Sequence, residues 1–315
     1  MKTVTMESLL ADEYILFYWR SVGNRDIKFP VCGYAVKALT ADIVDRATEQ
    51  VMSALATVGL KTILICKDGH SAQRKWDEAQ CTEAEPASGT GQFKCGFVDP
   101  LTRLKVFSIS DFPHLFKKER NGLLSSRASG DSARDWVRKN KKINWDQLLA
   151  LHDADESAGP LREMGLTQKH LNPSSAEKMG VATAVQVLSK TVANYARMQM
   201  ELWADDSLKS FEEFIRLCDT TFDAFNSDRR LYSVEDERIT QMLKFVHWHE
   251  DWARESQHEG KEHTRGMISW QLFYDIRLLC YGFVGMVCAC ACACACACAC
   301  VSHAPACHMR LRLRR

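Results

Sequence analysis

The sequence predicts an α/β part followed by an all-helical part, with the boundary near residue 130. Before that boundary, short aromatic and β-branched runs occur in the order strand, strand, helix, strand. Beyond it the strand signal disappears, and apolar residues recur at spacings of three and four, as in amphipathic helices. The chain has 315 residues, of which 46% are hydrophobic and 26% charged, so it is long enough for two domains and typical of a core-forming protein.

The first part is predicted to contain four strands. They are apolar or aromatic runs bounded by turn-forming residues, at 14–19, 31–36, 61–66 and 104–109. The third run is almost continuously apolar, as expected for a strand covered on both faces, and it ends at Asp68. The fourth ends at Asp111, and residues 82–92 are predicted to be a polar loop.

Two helices are predicted in this part. Thr40 is a suitable N-cap for the first, Asp42 lies in its first turn, where the helix dipole favours a negative charge, and Gly59 ends it. The second follows the fourth strand over residues 114–124, because Pro113 suits the start of a helix.

The second part is predicted to be helical throughout. Ser174 and Glu177 form a capping box after Pro173, at the start of an apolar pattern that continues to Leu202. Three further helices are predicted at 208–225, 239–252 and 270–283.

The charges of the chain nearly cancel. Lys and Arg number 41 against 40 Asp and Glu, so no overall field steers the chain onto nucleic acid, and such binding requires a local patch. Residues 115–144 hold nine Lys or Arg against three acids, which predicts weak, salt-sensitive and sequence-independent contact with DNA. A solvated helix and loop face is an equally good interpretation. The candidate residues are Lys117, Lys118, Arg120, Arg138, Lys139, Lys141 and Lys142.

The cysteines and the apolar C-terminal segment do not indicate a metal module, a disulfide framework or a membrane anchor. Seven of the 14 cysteines form the alternating run from Cys288 to Cys300, and the others are scattered without a Cys-x-x-Cys pair. Residues 278–301 carry no formal charge and are long enough to cross a bilayer. Cys-Ala alternation nevertheless lacks the Leu, Ile and Phe that drive insertion, and it is typical of a translated simple repeat. Because residues 1–10 contain no apolar signal region, we expect a nuclear or cytoplasmic protein rather than a secreted one.

Two carboxylates follow predicted strands. Asp68 and Asp111 would lie at strand ends, where a sheet presents side chains to a cleft, and paired carboxylates there suit Mg²⁺ and phosphoryl transfer. From spacing alone, the alternative that Asp68-Gly69 is simply a turn is favoured.

Several sequence blocks occur together in a known family. The most specific are Asp111-Phe-Pro-His-Leu-Phe-Lys117 followed by Arg120-Asn121, and Leu166-Thr-Gln-Lys-His-Leu-Asn-Pro173. Further blocks lie in order at 28–31, 65–69, 143–145, 184–189, 222–227 and 268–271. Together they resemble the P-element family of DNA transposases, the group that includes the THAP-domain transposases.

The resemblance implies an RNase H-like catalytic core interrupted by a helical insertion domain that binds GTP, in an enzyme that cuts and joins DNA with Mg²⁺ held by three acids. It assigns residues 1–130 to a partial RNase H-like core, 131–286 to the insertion-like domain and 287–315 to a low-complexity Cys-Ala repeat with a basic tail.

The resemblance also implies roles for individual residues. Asp68 matches the second catalytic, metal-binding acid, and Asp111 and His114 match a motif beside the active site. No P-loop is present, so contacts with the GTP phosphates are assigned to helix N-termini and to lysines such as Lys169 or Lys178. Gly180 stands where family members usually carry a basic residue.

The chain departs from the family pattern at both ends. Residues 14–19 align with the strand after the one that bears the first acid, and the Cys-Ala run stands where the third acid is expected. One acid of three cannot hold two metal ions, so we expect no nuclease or strand-transfer activity. The leading hypothesis is a catalytically incomplete transposase derivative, with homo-oligomerisation left open. The alternative is a non-enzymatic adaptor that binds nucleic acid, GTP or a protein.

Overall fold

A computed structural model describes residues 11–22, 27–84, 93–126, 134–229, 231, 233–256 and 265–300, with side chains up to residue 291. The chain divides into two compact units. Unit 1 comprises Met1–Ile109, Asp228–Val234 and Tyr281–Leu311, and unit 2 comprises Ser110–Ser227, Glu235–Cys280 and Arg312–Arg315. The chain therefore first enters unit 2 after Ile109, earlier than the change of sequence pattern near residue 130. The fold is mixed α/β, as the sequence predicts.

Unit 1 contains two small sheets and two helices in its N-terminal segment. Its elements are β1 (Glu13–Arg20), β2 (Lys28–Val36), α1 (Ala41–Thr57), β3 (Leu64–Lys67), α2 (Ser71–Gln80), β4 (Glu83–Ala84), β5 (Lys94–Val98) and β6 (Lys105–Ser110). β1 and β2 form an antiparallel hairpin, and the second sheet has the order β3-β6-β5-β4. These sheets confirm the four predicted strands, whereas the finer RNase H-like topology stays a prediction.

The hairpin of β1 and β2 has one largely exposed apolar face. Tyr14, Leu16 and Tyr18 alternate along β1 and are 66%, 59% and 55% exposed. Among the described strands, β1 and β2 pair only with each other. No described element of the chain therefore covers this face.

Helix α1 begins and ends where the sequence predicts. The Thr40 hydroxyl accepts a hydrogen bond from the backbone N–H of Ile43 at 3.3 Å, which satisfies one unpaired donor of the first turn. Val44, Val51 and Leu55 form part of its buried face. Gly59 follows with φ of +80°, the left-handed conformation that favours glycine at a helix end.

Three elements of unit 1 were not predicted. Helix α2 has few apolar residues and so gives no amphipathic pattern; its start is fixed by a capping box between His70 and Gln73. Strand β4 has only two residues, and β5 (Lys94–Val98) has two adjacent buried residues, Cys95 and Gly96, rather than a strict alternation; the two strands pair with each other. The predicted loop at 82–92 is wrong at Glu83–Ala84, and residues 85–92 lie outside the described part of the chain.

Unit 2 is mainly helical. Its elements are α3 (Phe112–Leu124), β7 (Val137–Arg138), β8 (Lys141–Lys142), α4 (Trp145–Ser157), α5 (Gln168–Leu171), α6 (Ser175–Lys178), α7 (Val181–Val187), α8 (Lys190–Trp203), α9 (Lys209–Phe225), α10 (Glu237–Glu255) and α11 (Trp270–Cys300), of which α11 continues into unit 1. Its core contains fully buried aromatic side chains, including Trp136, Trp145, Trp252, Phe214 and Phe245.

The prediction that strands are absent beyond residue 130 is wrong at one place. β7 and β8 form a short antiparallel hairpin whose turn residues, Lys139 and Asn140, have φ of +50° and +59°. Strands of two residues carry no periodic signal, so the sequence pattern does not reveal them.

The continuous helix predicted from Ser174 to Leu202 is also wrong, because three helices occupy this range. The capping box of Ser174 and Glu177 is present, but α6 ends after one turn and α7 begins after Gly180. Ser189 then caps α8, accepting from the backbone N–H of Val192 at 3.4 Å. An apolar period of three to four persists through such breaks, so periodicity alone does not locate them.

The last helix extends further than the predicted range of 270–283. Its backbone continues through the Cys-Ala run to Cys300, and residues 301–315 lie outside the described part of the chain. Residues 270–291 are long and apolar enough to cross a membrane, but 72% of the apolar window is buried inside the protein. Burial within the protein accounts for this composition without a bilayer.

Candidate functional site

A cavity of about 480 Å³ in unit 2 brings together parts of the two most specific sequence blocks. Its lining residues are Asn121, Leu124, Ser125, Asn172, Pro173 and Lys178. Asn121 closes the block that begins at Asp111, and Asn172 and Pro173 close the block that begins at Leu166. Ligand pockets in proteins have volumes in this range. The cavity is therefore the candidate ligand site of unit 2.

The wall of the cavity is polar on one part and apolar on another. Two amides, one hydroxyl and one ammonium group can make directional hydrogen bonds, while Leu124 and Pro173 provide apolar surface. Lys178 is the one cation among the lining residues. The cavity thus suits a ligand with a flat apolar body, polar edges and a negative charge.

Helix α3 holds the end of the short helix α6 beside this cavity. Arg120 is fully buried, and its Nη2 donates to the backbone carbonyl oxygens of Glu177 at 3.2 Å and Lys178 at 3.1 Å. Nδ2 of Asn121 donates to the Lys178 carbonyl at 3.3 Å, and its Oδ1 accepts from Nε of Arg120 at 2.9 Å. We call Arg120 and Asn121 with these two carbonyls the α3–α6 clamp.

The other residues of the second block mainly build the fold. Leu166, His170 and Leu171 are buried, and the Leu171 carbonyl accepts from the indole N–H of Trp145 at 3.2 Å. The Thr167 backbone N–H donates to Nδ1 of His170 at 2.9 Å, so the ring is held with Nε2 toward Gln186. This block therefore combines a structural part with two residues that reach the cavity.

The structure separates the two lysines assigned to nucleotide contact by resemblance. Lys178 lines the cavity, whereas Lys169 is exposed on α5 and is not among the lining residues. The sequence offers no means of choosing between them, because both are basic residues near helix ends.

Asp68 lies just beyond β3 with an exposed side chain. The preceding Lys67 points the opposite way and is buried, where its ammonium group pairs with Asp77 and Ser108. Within the described ranges, no three or more His, Cys, Asp and Glu side chains form a group that could hold a metal ion. The role of Asp68 in catalysis and metal binding stays a prediction.

Asp111 and His114 form a local pair at the start of α3. The Asp111 side chain caps the helix by accepting from the His114 backbone N–H at 3.4 Å, and Nδ1 of His114 lies 2.7 Å from Oδ2 of Asp111. Asp68 belongs to unit 1 and Asp111 to unit 2. The proximity of Asp111 and His114 to an active site stays a prediction, and helix capping explains their spacing.

The predicted basic patch is smaller in the folded chain than in the sequence. Arg120, Arg138 and Lys117 are buried, and Arg138 pairs with Glu213 at 3.1 Å. Lys118 pairs with the buried Asp275 at 2.9 Å, and Lys141 with Asp206 at 2.6 Å. Lys139 and Lys142 are exposed on the β7–β8 hairpin. A phosphate contact by the buried members would require them to leave their present partners.

A buried pair of titratable residues was not foreseen from the sequence. Glu119 on α3 and His249 on α10 are fully buried, with Oε1 and Nε2 3.5 Å apart. Burial raises the pKa of Glu119 to about 8 and lowers the pKa of His249 to about 4. The two residues are far apart in sequence, and no motif links them, so the contact follows from tertiary packing alone.

Comparisons with known proteins agree with this architecture. Residues 114–237 match the family described as TNP-like, GTP-binding insertion domain. The Transposable element P transposase of Drosophila melanogaster is 27% identical over 180 residues, which cover 56% of this chain and 22% of that protein. A solved structure, the Drosophila P element transposase strand transfer complex, shares the fold with a TM-score of 0.65 and 18% identity, over 86% of this chain and 57% of that chain.

Residues 114–237 are therefore similar to the GTP-binding insertion domains of the TNP-like family. More particularly, the chain is similar in sequence and in fold to the P element transposase of Drosophila. It spans 22% of the length of the curated relative and 57% of the solved chain.

Proposed function

We propose that this chain is a GTP-binding protein of P-element transposase descent and that GTP binds in the cavity lined by Lys178. The position of the cavity carries the proposal, since all its lining residues fall within the residues that match the GTP-binding insertion domain. Amide and hydroxyl groups suit the edges of a purine and a ribose, and a lysine binds phosphate as a point charge. Leu124 and Pro173 supply apolar surface for the base.

Titration with a fluorescent GTP analogue tests the proposal. Lys178→Ala removes the cation at the cavity, so we expect the affinity to fall by about tenfold, equivalent to roughly 1.4 kcal/mol. Lys169→Ala is the matched control, since it removes a similar charge from an exposed position. Absence of binding to the wild-type chain, or an equal affinity of Lys178→Ala and wild type, would overturn the assignment of GTP to this cavity.

We further propose that this chain alone does not cut or join DNA. The single acid that resembles a catalytic residue, Asp68, supports this proposal, because the described donor groups around it do not make a site for paired cations. The test is a plasmid-nicking assay with Mg²⁺ or Mn²⁺. Nicking by the wild-type chain that disappears in Asp68→Ala would contradict the proposal and establish a working metal centre.

The second candidate function is that of a non-enzymatic adaptor that contacts DNA. The exposure of Lys139 in the β7–β8 turn and of Lys142 in β8 favours it, since the Lys142 ammonium group has, in the described part of the chain, only a solvent-exposed contact with Asp135 at 4.0 Å to give up for a phosphate. DNA binding distinguishes the two functions. An adaptor binds DNA whether or not nucleotide is present, and its affinity for DNA falls as the salt concentration rises.

A further inference from the structure

The α3–α6 clamp joins a buried guanidinium to the end of a one-turn helix. Helix α6 contains four residues. The Glu177 carbonyl accepts from the Gly180 backbone N–H at 3.0 Å, whereas in the described part of the chain the donors to the Lys178 carbonyl are side chains of α3. Arg120 and Asn121 supply three hydrogen bonds to the carbonyls of Glu177 and Lys178. The hydroxyl of Thr183 also donates to the Glu177 carbonyl, at 3.1 Å.

Stability alone does not account for a guanidinium in this position. Arg120 is fully buried, and the hydrogen bonds that satisfy it come from carbonyl groups rather than from a carboxylate. Its Nη1 is buried without a hydrogen-bond partner in the described part of the chain. Burying a charge without a counter-charge carries a desolvation penalty, and an apolar side chain would fill the same volume without it.

The α3–α6 clamp fixes the backbone of Lys178. A lysine side chain is long and flexible, so the position of its ammonium group depends on where its backbone is held. Holding the Lys178 carbonyl from two side chains of α3 places the stem of this side chain at the rim of the cavity. Pre-positioning of this kind increases affinity by lowering the entropy lost on binding.

We infer that Arg120 and Asn121 are positioning residues that set the Lys178 ammonium group for the phosphates of a bound nucleotide. This inference rests on the proposed binding of GTP. It assigns to Arg120 a role in nucleotide affinity, although Arg120 does not line the cavity. The effect of Arg120 is exerted through Lys178 and so concerns the phosphates rather than the base.

The experiment compares the affinities of the full chain for GTP and for guanosine. Arg120→Gln removes the Nη2 group that donates to both carbonyls, and we expect GTP affinity to fall by about tenfold while guanosine affinity changes by less than about twofold. In the Lys178→Ala background, Arg120→Gln should change GTP affinity by less than about twofold, because two residues that act through one contact are not additive. Arg120→Lys, which keeps the charge but cannot donate to both carbonyls in the same way, is the second variant and is tested in the same two backgrounds.

Arg134→Gln is the matched control, since the guanidinium of Arg134, which is partly buried, donates to the backbone carbonyl of Met267 at 3.1 Å and does not line the cavity. We expect it to leave both affinities unchanged. Equal losses of GTP and guanosine affinity in Arg120→Gln and Arg120→Lys, or undiminished losses in the Lys178→Ala background, would overturn the inference and leave the proposed function intact. If Lys178→Ala does not weaken GTP binding, the proposed site and the inference both fail.

Discussion

At the scale of single residues, Glu119 and His249 form a buried pair whose pKa values are shifted in opposite directions. Nδ1 of His249 donates to the Phe245 carbonyl at 2.9 Å, so Nε2 of the neutral ring presents a lone pair to Oε1 of Glu119, 3.5 Å away. Two lone pairs repel each other, and a proton on Glu119 removes the repulsion. The surroundings act in the same direction, because burial and then the charge of Arg138 lower the pKa of His249.

This pair makes the stability of the protein depend on pH in a defined way. Between about pH 4.5 and 6.5 the folded and unfolded states each bind one proton at this pair of residues. In the folded state the proton is on Glu119, and in the unfolded state it is on His249. The pair therefore makes the free energy of unfolding independent of pH in this interval. Above pH 6.5 the unfolded state loses its proton while folded Glu119 keeps its own up to about pH 8. Stability is therefore lost as the pH rises through this interval, by about 2 kcal/mol at about 1.4 kcal/mol per unit.

Urea unfolding at pH 6.5 and pH 8 measures this loss. Glu119→Gln should remove most of it, because an amide does not titrate. Glu201→Gln at an exposed position should keep it. If Glu119→Gln shows the same decrease in unfolding free energy as the wild type, Glu119 is not the group responsible.

Gly282 on α11 is required by a close approach to β6. A methyl group at this position would lie 2.2 Å from the Ser108 carbonyl oxygen and 2.8 Å from Cγ2 of Ile109. We expect Gly282→Ala to destabilise the protein by roughly 1–3 kcal/mol through overpacking. Gly266→Ala, whose added methyl group would have no atom nearer than 3.9 Å, is the control. Thermal unfolding midpoints distinguish the two, and an unchanged midpoint for Gly282→Ala would show that α11 can shift.

At the scale of elements, one buried network holds β3, α2 and β6 together. The ammonium group of Lys67 contacts Asp77 and Ser108 and lies 4.2 Å from the ring centroid of Trp76. Ser108 also donates to Asp77 at 2.6 Å. The network turns Lys67 into the interior of unit 1, and the alternation of side chains along a strand then directs Asp68 to the outside.

Removing one charged partner of this network should lower the free energy of unfolding more than removing both partners. Asp77→Ala leaves a buried ammonium group without its counter-charge, for which we expect a loss of about 3–5 kcal/mol. Adding Lys67→Met to Asp77→Ala should recover part of that loss, because the unpaired charge is gone. Asp251→Ala breaks a solvent-exposed pair with Arg254 and should change stability by at most about 1 kcal/mol. Additive effects of the two buried substitutions, measured by urea unfolding, would contradict the coupling.

The sequence predicts long elements better than short ones, and the reason is physical. Helices α1, α9 and α10 have an apolar face long enough for several turns, and their predicted ranges agree with the structure. Strands β4, β7 and β8 contain two residues each, and their pairing depends on partners rather than on their own pattern. The division of the predicted helix at Gly180 and Ser189 depends on caps, which an apolar period does not record.

At the scale of the whole molecule, the candidate site is made of segments far apart in sequence. The two blocks around Asn121 and Pro173 are recognisable in the sequence, but their meeting at one cavity follows from tertiary packing. The same packing buries Arg120 and Arg138, which sequence reasoning placed in a basic surface. Charge composition indicates how many cations a segment carries, and it does not indicate which of them face solvent.

Because several cations of the predicted basic patch are buried or paired in the folded chain, we expect a modest affinity for DNA. We expect the double substitution Lys139→Ala and Lys142→Ala to weaken binding to a random duplex and to reduce the slope of log affinity against log salt by about 0.9 for each phosphate that is no longer neutralised. The pair Lys75→Ala and Lys94→Ala, at exposed positions of unit 1, is the control. Fluorescence anisotropy over a range of salt concentrations measures the slope, and binding that does not weaken with salt would exclude an electrostatic interaction.

The β1–β2 hairpin has a dynamic consequence. Among the described strands, β1 and β2 are hydrogen-bonded only to each other, and a two-stranded sheet of this kind is marginally stable. The amide protons of β1 and β2 should therefore exchange with solvent through local opening. The amide protons of β6 should exchange only when unit 1 unfolds. Tyr14, Leu16 and Tyr18 then meet solvent together with newly opened backbone groups. In a concentrated solution, edge-to-edge association between molecules would start at the β1–β2 hairpin.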